Sequence, residues 1–304
     1  MIASTQKSEV MFKRTGYKMM LLCAVMLSTA MTSCINESDA GCVQYAAKPY
    51  LVGGDGTVHS DAAVKSITAY LFSEGKFSHE IKSESDGRFL VSFDGTKTTT
   101  LVMLGYPDND SLSVNTPKEG EDINEVSSSL LSINGNRSPE GFYYGCFNYA
   151  PSTLDTVSKE INIAMHPERA TVRVVIENLY SRYGNGGNYS IELSGLRREV
   201  SFDGTIGGDS ITYTPKTSFD AKNDLCSDVV NTLPTKNDES VTVKLYRNGM
   251  LLWNISEDSQ DNSITLSGGD NKTVVIDVMR MTVALFSGSG INDWNNIPGS
   301  TTAD

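Results

Sequence analysis

The segment Ile67-Thr-Ala-Tyr-Leu-Phe72 decides how the chain is interpreted, because its residues alternate in the manner of a β-strand. Ser73-Glu-Gly-Lys76 follows with the composition of a tight turn, and Phe77 begins a returning strand. β-Branched and aromatic residues on both sides of a glycine-containing turn are typical of a β-hairpin. The sequence therefore predicts that this part of the chain is built from paired strands.

Further strand-like runs recur, each rich in Val, Ile, Leu, Thr or Tyr and bounded by Gly, Asn, Asp or Ser. They are residues 88–93, 99–104, 159–165, 171–176, 189–193, 241–246, 251–255, 264–266 and 273–286. Asn248-Gly249 separates two of them and is the strongest short hairpin signal that a sequence offers. Many short strands with frequent turns predict an all-β fold of the sandwich type.

Residues 122–133 depart from this pattern. Ile123, Val126, Leu130 and Leu131 have the spacing of one helix face, which predicts a short helix within the first domain.

A domain boundary is expected at Met165-His-Pro-Glu168, because a proline between two strand-like runs marks a break in pairing. We therefore predict an N-terminal β-sandwich domain at residues 45–166 and a C-terminal β-sandwich domain at residues 167–304. At about 130 residues, each is large enough to bury its own core.

The N-terminus has the composition of a lipoprotein signal peptide. Lys13, Arg14 and Lys18 precede an apolar run at residues 19–31, and Thr32-Ser33 leads into Cys34. Basic residues, a short apolar run and small residues before the cut define a secretory signal. The apolar run is shorter than the roughly 20 residues that span a bilayer. We predict that residues 1–33 are removed and that Cys34 is acylated. Three acyl chains would anchor the protein stably, because they exceed the two-signal threshold for membrane attachment.

Residues 34–44 form a linker after the acylated cysteine. It contains the acidic run Asn36-Glu-Ser-Asp39, which resembles the export tag that sends Bacteroidota lipoproteins to the outer leaflet of the outer membrane. The alternative is an ordinary solvated linker. We expect a lipid-anchored protein of the cell outer membrane that is exposed at the surface.

The charge of the mature chain argues against a nucleic-acid partner. Residues 1–33 contain four basic residues and one acidic residue, so removing them leaves 21 basic and 36 acidic residues. The resulting formal charge of −15 comes without a Lys/Arg cluster that would neutralise phosphates. Such a charge suits a soluble, exposed surface protein.

Three cysteines remain besides the signal-peptide cysteine and Cys34. They are Cys42, Cys146 and Cys226, so one thiol is left over if a disulfide forms. An oxidising compartment permits the bond, and we favour Cys42–Cys146 because Cys146 falls in the first predicted domain and Cys42 lies directly before it. Their spacing has no zinc signature.

The sequence offers little for catalysis. The histidines at 59, 79 and 166 are isolated, so no two imidazoles have the spacing to share a metal. Gly208-Asp-Ser-Ile211 looks like the nucleophile block of GDSL-type hydrolases, but no histidine follows it to act as the base. We interpret it as a turn. The sequence predicts no enzyme activity, no cofactor and no metal.

Three Asp-Ser/Thr-apolar triplets resemble the acceptors of Bacteroidota O-glycosylation, and they place candidate sugars on Ser111, Thr156 and Ser210. Patterns this short also arise by chance. Trp253 and Trp294 are the residues that would stack on a sugar in a glycan-binding protein, although two tryptophans do not make a lectin.

Several of these features together resemble the FimB-like fimbrial subunit family of Bacteroidales type V pili. They are the lipoprotein signal, Cys42, the run Val64-Lys-Ser-Ile-Thr-Ala-Tyr-Leu-Phe-Ser-Glu-Gly-Lys-Phe77, the opening Arg169-Ala-Thr-Val-Arg-Val-Val-Ile176 and the terminal Ile291-Asn-Asp-Trp294. The family usually has Asp-Cys-Pro at the early cysteine, whereas this chain has Gly41-Cys42-Val43. The resemblance implies two transthyretin-like Greek-key β-sandwich domains and assembly with a fimbrial stalk subunit by strand exchange.

The same resemblance distinguishes two roles within a pilus. Stalk and tip subunits of the family lose a lipidated N-terminal strand to a trypsin-like protease that cuts after a basic residue. Between Cys34 and Ile67 the basic residues are Lys48, which precedes Pro49, and Lys65, which abuts a predicted strand. A chain that resists cleavage keeps its lipid, so we predict the anchor subunit at the pilus base. A tip or accessory adhesin of the same pilus and a glycan-binding surface lipoprotein are the alternatives.

The two ends of the chain have separate expected roles. Residues 45–51 are expected to pair within the first domain as its own edge strand. Ile291, Trp294 and Ile297 lie in a terminal segment that we expect to be donated to another subunit, although their spacing of three is not that of a strand. The alternative is that Trp294 fills the core of the second domain.

Overall fold

The computed structural model describes residues 44–60, 64–106, 112–130, 139, 141–151, 159–184, 186–237 and 239–288. Its strands are β1 Gln44–Val52, β2 Val58–His59, β3 Ser66–Ser73, β4 Lys76–Ile81, β5 Phe89–Ser92, β6 Thr99–Tyr106, β7 Leu112–Val114, β8 Ser127–Leu130, β9 Tyr143–Tyr149, β10 Glu160–Pro167, β11 Ala170–Glu177, β12 Tyr189–Ser201, β13 Ile206–Tyr213, β14 Thr217–Phe219, β15 Leu225–Ser227, β16 Val230–Thr232, β17 Thr242–Arg247, β18 Met250–Ile255, β19 Asn271–Asp277 and β20 Thr282–Ser287. Helix α1, Leu179–Tyr183, lies between β11 and β12. In these ranges no helix has the length and apolarity needed to cross a membrane. The predicted all-β fold is confirmed.

Strand β3 is apolar because both of its faces are covered. Ala69 and Leu71 belong to one hydrophobic core, whereas Tyr70 and Phe72 belong to a second core. All four side chains are buried, and β3 pairs with β4 on one side and β6 on the other. Because successive side chains of a strand point to opposite faces, this one strand contributes to both cores.

The first core lies between two layers of the N-terminal half. Strands β1, β5 and β10 supply one layer, and β3, β4, β6 and β9 supply the other. The layers join where β10 pairs with β9, through His166–Tyr144 and Pro167–Tyr143 only. The N-terminal half is therefore a β-sandwich that is closed at one corner.

The second core fills the C-terminal half. One covering sheet has the order β14-β15-β11-β19-β20, and the other has the order β18-β17-β12-β8-β7. β16 also pairs with β11, and β13 also pairs with β12. Alternate residues from Val172 to Ile176 of β11 and from Tyr189 to Leu193 of β12 are buried between these sheets, which makes this half a second β-sandwich.

The two halves are joined by packing and by a shared sheet. β7 and β8 precede residue 166, yet β8 pairs with β12 through Ser127–Ser201 and Ser129–Glu199. β10 and β11 are separated only by Glu168 and Arg169. The domain boundary at residues 166–167 stays a prediction, and the structure adds that a hairpin from the first half extends a sheet of the second.

The helix predicted at residues 122–133 is wrong over residues 122–130, the part of it that the structure describes. Residues 123–125 form a turn, and Ser127–Leu130 is the strand β8. Val126, Ser128 and Leu130 are the buried positions, so the face that looked helical has a period of two. Two residues that are four apart share a face in a strand as well as in a helix, so their spacing alone does not distinguish the two. Pairing with β12 makes this segment a strand.

Three other interpretations of the sequence need correction. Ile264 and Leu266 are buried, but residues 264–266 form no strand, because their main-chain bonds go to Ser256, Val241 and Thr235 rather than to one ladder. The run at residues 273–286 is a hairpin of β19 and β20 instead of one strand. Gly208-Asp-Ser-Ile211 is not a turn but part of strand β13. Gly208 has positive φ and lies within one register shift of the β12–β13 pairing, between Arg197–Ser210 and Glu199–Gly207. The glycine is therefore accommodated in an irregular ladder.

The hairpin predicted at Asn248-Gly249 is confirmed. The two residues link β17 to β18 and have φ angles of 51° and 80°. A two-residue hairpin turn of this kind needs positive φ at both positions, which Asn and Gly tolerate best.

Candidate functional site

The candidate site is the N-terminal strand site, which consists of β1 and its partners β10, β5 and β2. β1 lies parallel to β10 from Ala46–Glu160 to Leu51–Met165. On its other side it lies antiparallel to β5 through residues 44–47 and to β2 through Leu51 and Val52. The prediction that residues 45–51 pair within the first domain is therefore confirmed, although β1 has partners on both sides and is not an edge strand.

β1 contributes side chains to the first core. Tyr45 and Ala47 are buried, and the Tyr45 ring lies 5.0 Å from that of Phe93, measured between centroids. Phe93 in turn stacks on Tyr149 at 4.6 Å. Burying one large apolar side chain is worth about 1.5–3 kcal/mol. Withdrawal of β1 would therefore expose this aromatic cluster together with an unpaired row of main-chain groups, which is the arrangement that accepts a strand from a partner.

Lys48 and Pro49 lie at the centre of β1. Lys48 is exposed, but its main chain pairs with Asn162 of β10. The Ala46 N–H donates to Lys159 O at 2.8 Å, so the alternation along a strand turns the nitrogen of Pro49 away from β10. β5 ends its pairing at Ala47 and β2 begins at Leu51, which leaves the proline nitrogen facing no strand of the described chain. Proline is therefore accommodated at no cost in hydrogen bonds.

Lys65 is held at the start of the following strand. Its N–H donates to Tyr106 O at 3.2 Å, and Ser66 then begins the β3–β6 ladder. A protease that cuts after a basic residue needs an extended, unpaired segment around it. Lys48 and Lys65 are the basic residues of the described N-terminal segment. The main chain around each of them is hydrogen-bonded, which does not suit cleavage by such a protease.

Most predicted modification and attachment residues lie outside the described residues. They are Cys34, Cys42, Ser111, Thr156, Ile291, Trp294 and Ile297. Cys146 lies on β9 with an exposed side chain, whereas Cys226 on β15 is buried, and burial raises the pKa of its thiol. Ser210 is exposed on β13 opposite Arg197. The Cys42–Cys146 disulfide and the O-glycosylation sites stay predictions.

Trp253 is not placed to act as a flat sugar platform. The indole packs against the second core, and its N–H donates to the Tyr183 hydroxyl at 3.2 Å. The Arg182 guanidinium lies 5.7 Å from the indole ring and 5.5 Å from the Tyr183 ring. These contacts make Trp253 a packing residue of the α1 region.

The junction between the halves contains an acid, Glu168, that is only partly exposed. The Glu168 N–H donates to Phe142 O at 2.9 Å, and burial raises the pKa of the Glu168 carboxyl to about 7. Tyr144 lies nearby and donates from its hydroxyl to Phe202 O at 3.0 Å, and burial also raises its pKa. In the described chain no group of three or more His, Cys, Asp or Glu side chains is arranged to hold a metal.

Sequence reasoning did not identify β10 as the partner of β1. The signal was present, because residues 160–167 alternate between exposed and buried types in the way that a half-buried strand requires. What the sequence lacks is any mark of the parallel register, which depends on strands more than a hundred residues apart.

A family model described as fimbrillin-A associated anchor proteins Mfa1 and Mfa2 matches residues 43–295. No curated protein matches the chain.

Solved structures share the fold at low identity. The fimbrial anchor protein Mfa2 from Porphyromonas gingivalis is 15% identical, with a TM-score of 0.58 over 82% of this chain and 99% of that one. A structure of putative polysaccharide binding proteins from Bacteroides thetaiotaomicron is 14% identical, with a TM-score of 0.57 over 81% and 95% of the two chains. A putative adhesin from the same organism is 16% identical, with a TM-score of 0.53 over 84% and 98%.

Proposed function

The chain belongs to the family of fimbrillin-A associated anchor proteins, and on that premise we propose that it is the anchor subunit at the base of a type V fimbria. The family consists of structural proteins of fimbriae and not of enzymes, so a role in a fimbrium, as an anchor or an adhesin, follows from membership. The specific proposal is that Cys34 bears lipid, holds the protein in the outer membrane and links the membrane to the stalk subunit.

The observation that carries the proposal is the state of the N-terminal strand site. β1 fills the site, and Lys48 lies inside its ladder with Pro49 directly after it. A subunit that is cleaved after Lys48 or Lys65 would lose both its lipid and the residues Tyr45 and Ala47 that complete the first core. The paired main chain around both lysines supports retention of the lipidated segment.

Strand exchange with the stalk is the second part of the proposal. Because β1 completes the first sandwich of this subunit, that sandwich has no need of a strand from a neighbour. The subunit would then join the stalk by donating a strand, and the terminal residues Ile291, Trp294 and Ile297 supply the apolar positions of the proposed donor.

Mass spectrometry of the protein isolated with intact fimbriae tests the anchor role. The proposal expects an acylated Cys34 at the mature N-terminus. A new N-terminus at residue 49 or 66 would instead identify a cleaved tip or accessory subunit and would overturn the anchor assignment.

The variant Cys34→Ala tests attachment in cells, with Cys146→Ala as the matched cysteine control. The first should release fimbriae or the subunit into the medium, while the second should leave them on the cells. Normal surface retention of the Cys34→Ala protein would show that the lipid is not the anchor.

A further inference from the structure

The first strand of the described chain is held on both of its sides. β1 lies parallel to β10 through consecutive residue pairs from Ala46–Glu160 to Leu51–Met165. On the other side, residues 44–47 of β1 lie antiparallel to β5. β1 can therefore leave the first sandwich only if both of these ladders break.

The main-chain bonds between β1 and β10 follow a regular alternation. The Ala46 N–H donates to Lys159 O at 2.8 Å. Since every second residue of a strand turns its N–H and C=O to the same side, the main chain of Lys48 and Tyr50 also faces β10. Pro49 faces the other way, so its missing N–H removes no bond from this ladder. The ladder is therefore continuous through the middle of β1.

The direction of β10 decides how tension would act on this ladder. β10 continues into β11 with only Glu168 and Arg169 between them, so the covalent link to the C-terminal half is at the C-terminal end of β10. Gln44, where β1 begins, is at the opposite end of the pair, because the two strands are parallel. Tension between Gln44 and the C-terminal half thus slides β1 along β10.

Sliding is the movement that such a ladder resists best. The hydrogen bonds run between the strands, across the direction of the pull, so they share the tension and must break together. If the strands were pulled apart from one end, each bond would carry the whole force in turn. A parallel pair that is loaded at opposite ends therefore withstands more force than the same pair loaded at one end.

The side chains of β1 oppose the same movement. Tyr45 and Ala47 are buried, and the Tyr45 ring lies 5.0 Å from the ring of Phe93, which stacks on Tyr149. A shift of β1 along its own axis would take Tyr45 out of this cluster and expose apolar surface to water. Core packing and the ladder therefore act together against withdrawal.

We propose that the β1–β10 ladder is a mechanical clamp, which keeps the first half folded while the fimbria pulls on the lipid. This inference rests on the proposed function, because tension reaches β1 only in a subunit that keeps its lipid at Cys34 and holds the stalk through its C-terminal half. Once β1 slips, the tension passes along the chain to Lys65 at the start of β3. The clamp thereby protects this basic residue from the protease.

Single-molecule pulling on the unlipidated mature protein tests the clamp. Handles are attached through a click-reactive amino acid at exposed positions. Handles at Gln44 and His166 load opposite ends of the pair. Handles at Asp55 and His166 load the same end, because Leu51 lies opposite Met165. The first geometry should need a severalfold higher rupture force at equal pulling speed, and equal forces in the two geometries would overturn the proposal.

Two proline variants test whether the main-chain bonds carry the force. Lys48→Pro removes an N–H that faces β10. Asn162→Pro is the matched control at the exposed residue directly opposite, whose N–H points away from β1, since a residue in a parallel pair bonds the two neighbours of the residue opposite it. Lys48→Pro should lower the rupture force between positions 44 and 166, and Asn162→Pro should not.

Equal rupture forces in the two proline variants would show that side-chain packing alone holds β1, and they would overturn the clamp. If Lys48→Pro does not fold, the comparison of the two pulling geometries on the unsubstituted protein still decides.

Fimbriated cells under flow, with trypsin added, test the clamp in its setting. Lys48→Pro cells should shed fimbriae under flow, with a new N-terminus at residue 66 on the released subunit, and should keep them in static culture. Asn162→Pro cells should keep them in both. Equal retention of fimbriae by the two variants under flow would contradict the proposal.

The outcome can be separated from that of the anchor assignment. If the protein is an anchor without a clamp, Cys34→Ala releases the fimbriae while the two pulling geometries give equal forces. If the protein is not the anchor, Cys34→Ala cells keep their fimbriae although the two forces differ, and the role of the ladder under tension is then overturned together with the proposed function.

Discussion

The rings of Tyr70 and Phe202 lie 4.9 Å apart, and this contact joins the two halves of the protein. Tyr70 is on the face of β3 that points away from the first core, and Phe202 follows the last residue of β12. Phe202 also meets Phe72 edge to face at 6.1 Å. The halves are therefore connected by fully buried aromatic packing and not only by the chain between β10 and β11.

Phe202→Ala should destabilise the whole protein. Removing a buried phenylalanine costs about 3–5 kcal/mol, because it leaves a cavity as well as losing apolar burial. Denaturant unfolding should show this loss and a broader or divided transition, since the halves lose their shared contact. Leu90→Ala, at a half-exposed position on β5, is the control and should change the free energy of unfolding by less than about 0.5 kcal/mol. A Phe202→Ala protein as stable as the control would exclude this coupling.

Glu168 should make stability fall with rising pH. The carboxyl keeps its proton to about pH 7 in the folded state, whereas the unfolded group ionises at its ordinary pKa of 4.5. The folded state thus binds more protons between these values, so stability decreases as pH rises from about 4.5 through about 7. Glu168→Gln should remove this slope and stabilise the protein at pH 8 by roughly 1–3 kcal/mol.

The variant Glu239→Gln should change the stability of the protein in the opposite direction. Arg197 donates to Glu239 and holds the pKa of that carboxyl below its usual value, so this variant should lower stability at pH 7. Melting curves of both variants between pH 4 and pH 9 test these expectations. If the stability of Glu168→Gln depended on pH as steeply as that of the unsubstituted protein, the Glu168 prediction would be contradicted.

Gly195 should tolerate no side chain. Its φ is +78°, and a Cβ there would lie 2.0 Å from Ser240 O, in the irregular pairing of β12. Gly195→Ala should lower the free energy of unfolding by about 2–4 kcal/mol, because the strain of the positive φ and the clash with the backbone are additive. Gly56 has φ +80° and open space around it, so Gly56→Ala should cost only about 1 kcal/mol from φ alone. Equal thermal shifts for the two variants would mean that the clash is relieved by local movement.

Resistance to proteolysis at Lys48 should have two separable causes. Folded protein should survive trypsin at this position in both the unsubstituted form and Pro49→Ala, because β1 is paired on β10. In urea, Pro49→Ala should be cut after Lys48 while the unsubstituted chain is not. N-terminal sequencing of the fragments makes the measurement, and cleavage of the folded Pro49→Ala protein would show that only the proline protects the site.

Deletion of residues 291–304 should separate donation from packing. If the segment is a donated strand, the deletion abolishes attachment to fimbriae and leaves the melting temperature unchanged. A fall of several degrees would mean instead that Trp294 is ordinary core.

The sequence by itself determined many of the strands and the turn at Asn248-Gly249, but it did not predict β8, β9 or β13. Alternation at Ile67–Phe72 and the Asn248-Gly249 turn depend on side-chain periodicity and local φ preference, which are encoded within a few residues. The family signals and the position of Lys48 before Pro49 are equally local, and the anchor hypothesis follows from them without the fold.

Only the tertiary structure decided how those strands combine. It placed β1 parallel to β10, and it turned the helical pattern at Val126 and Leu130 into a strand through pairing with β12. Each of these results depends on contacts between residues far apart in sequence, and a local pattern specifies a side chain's face but not the partner that covers it.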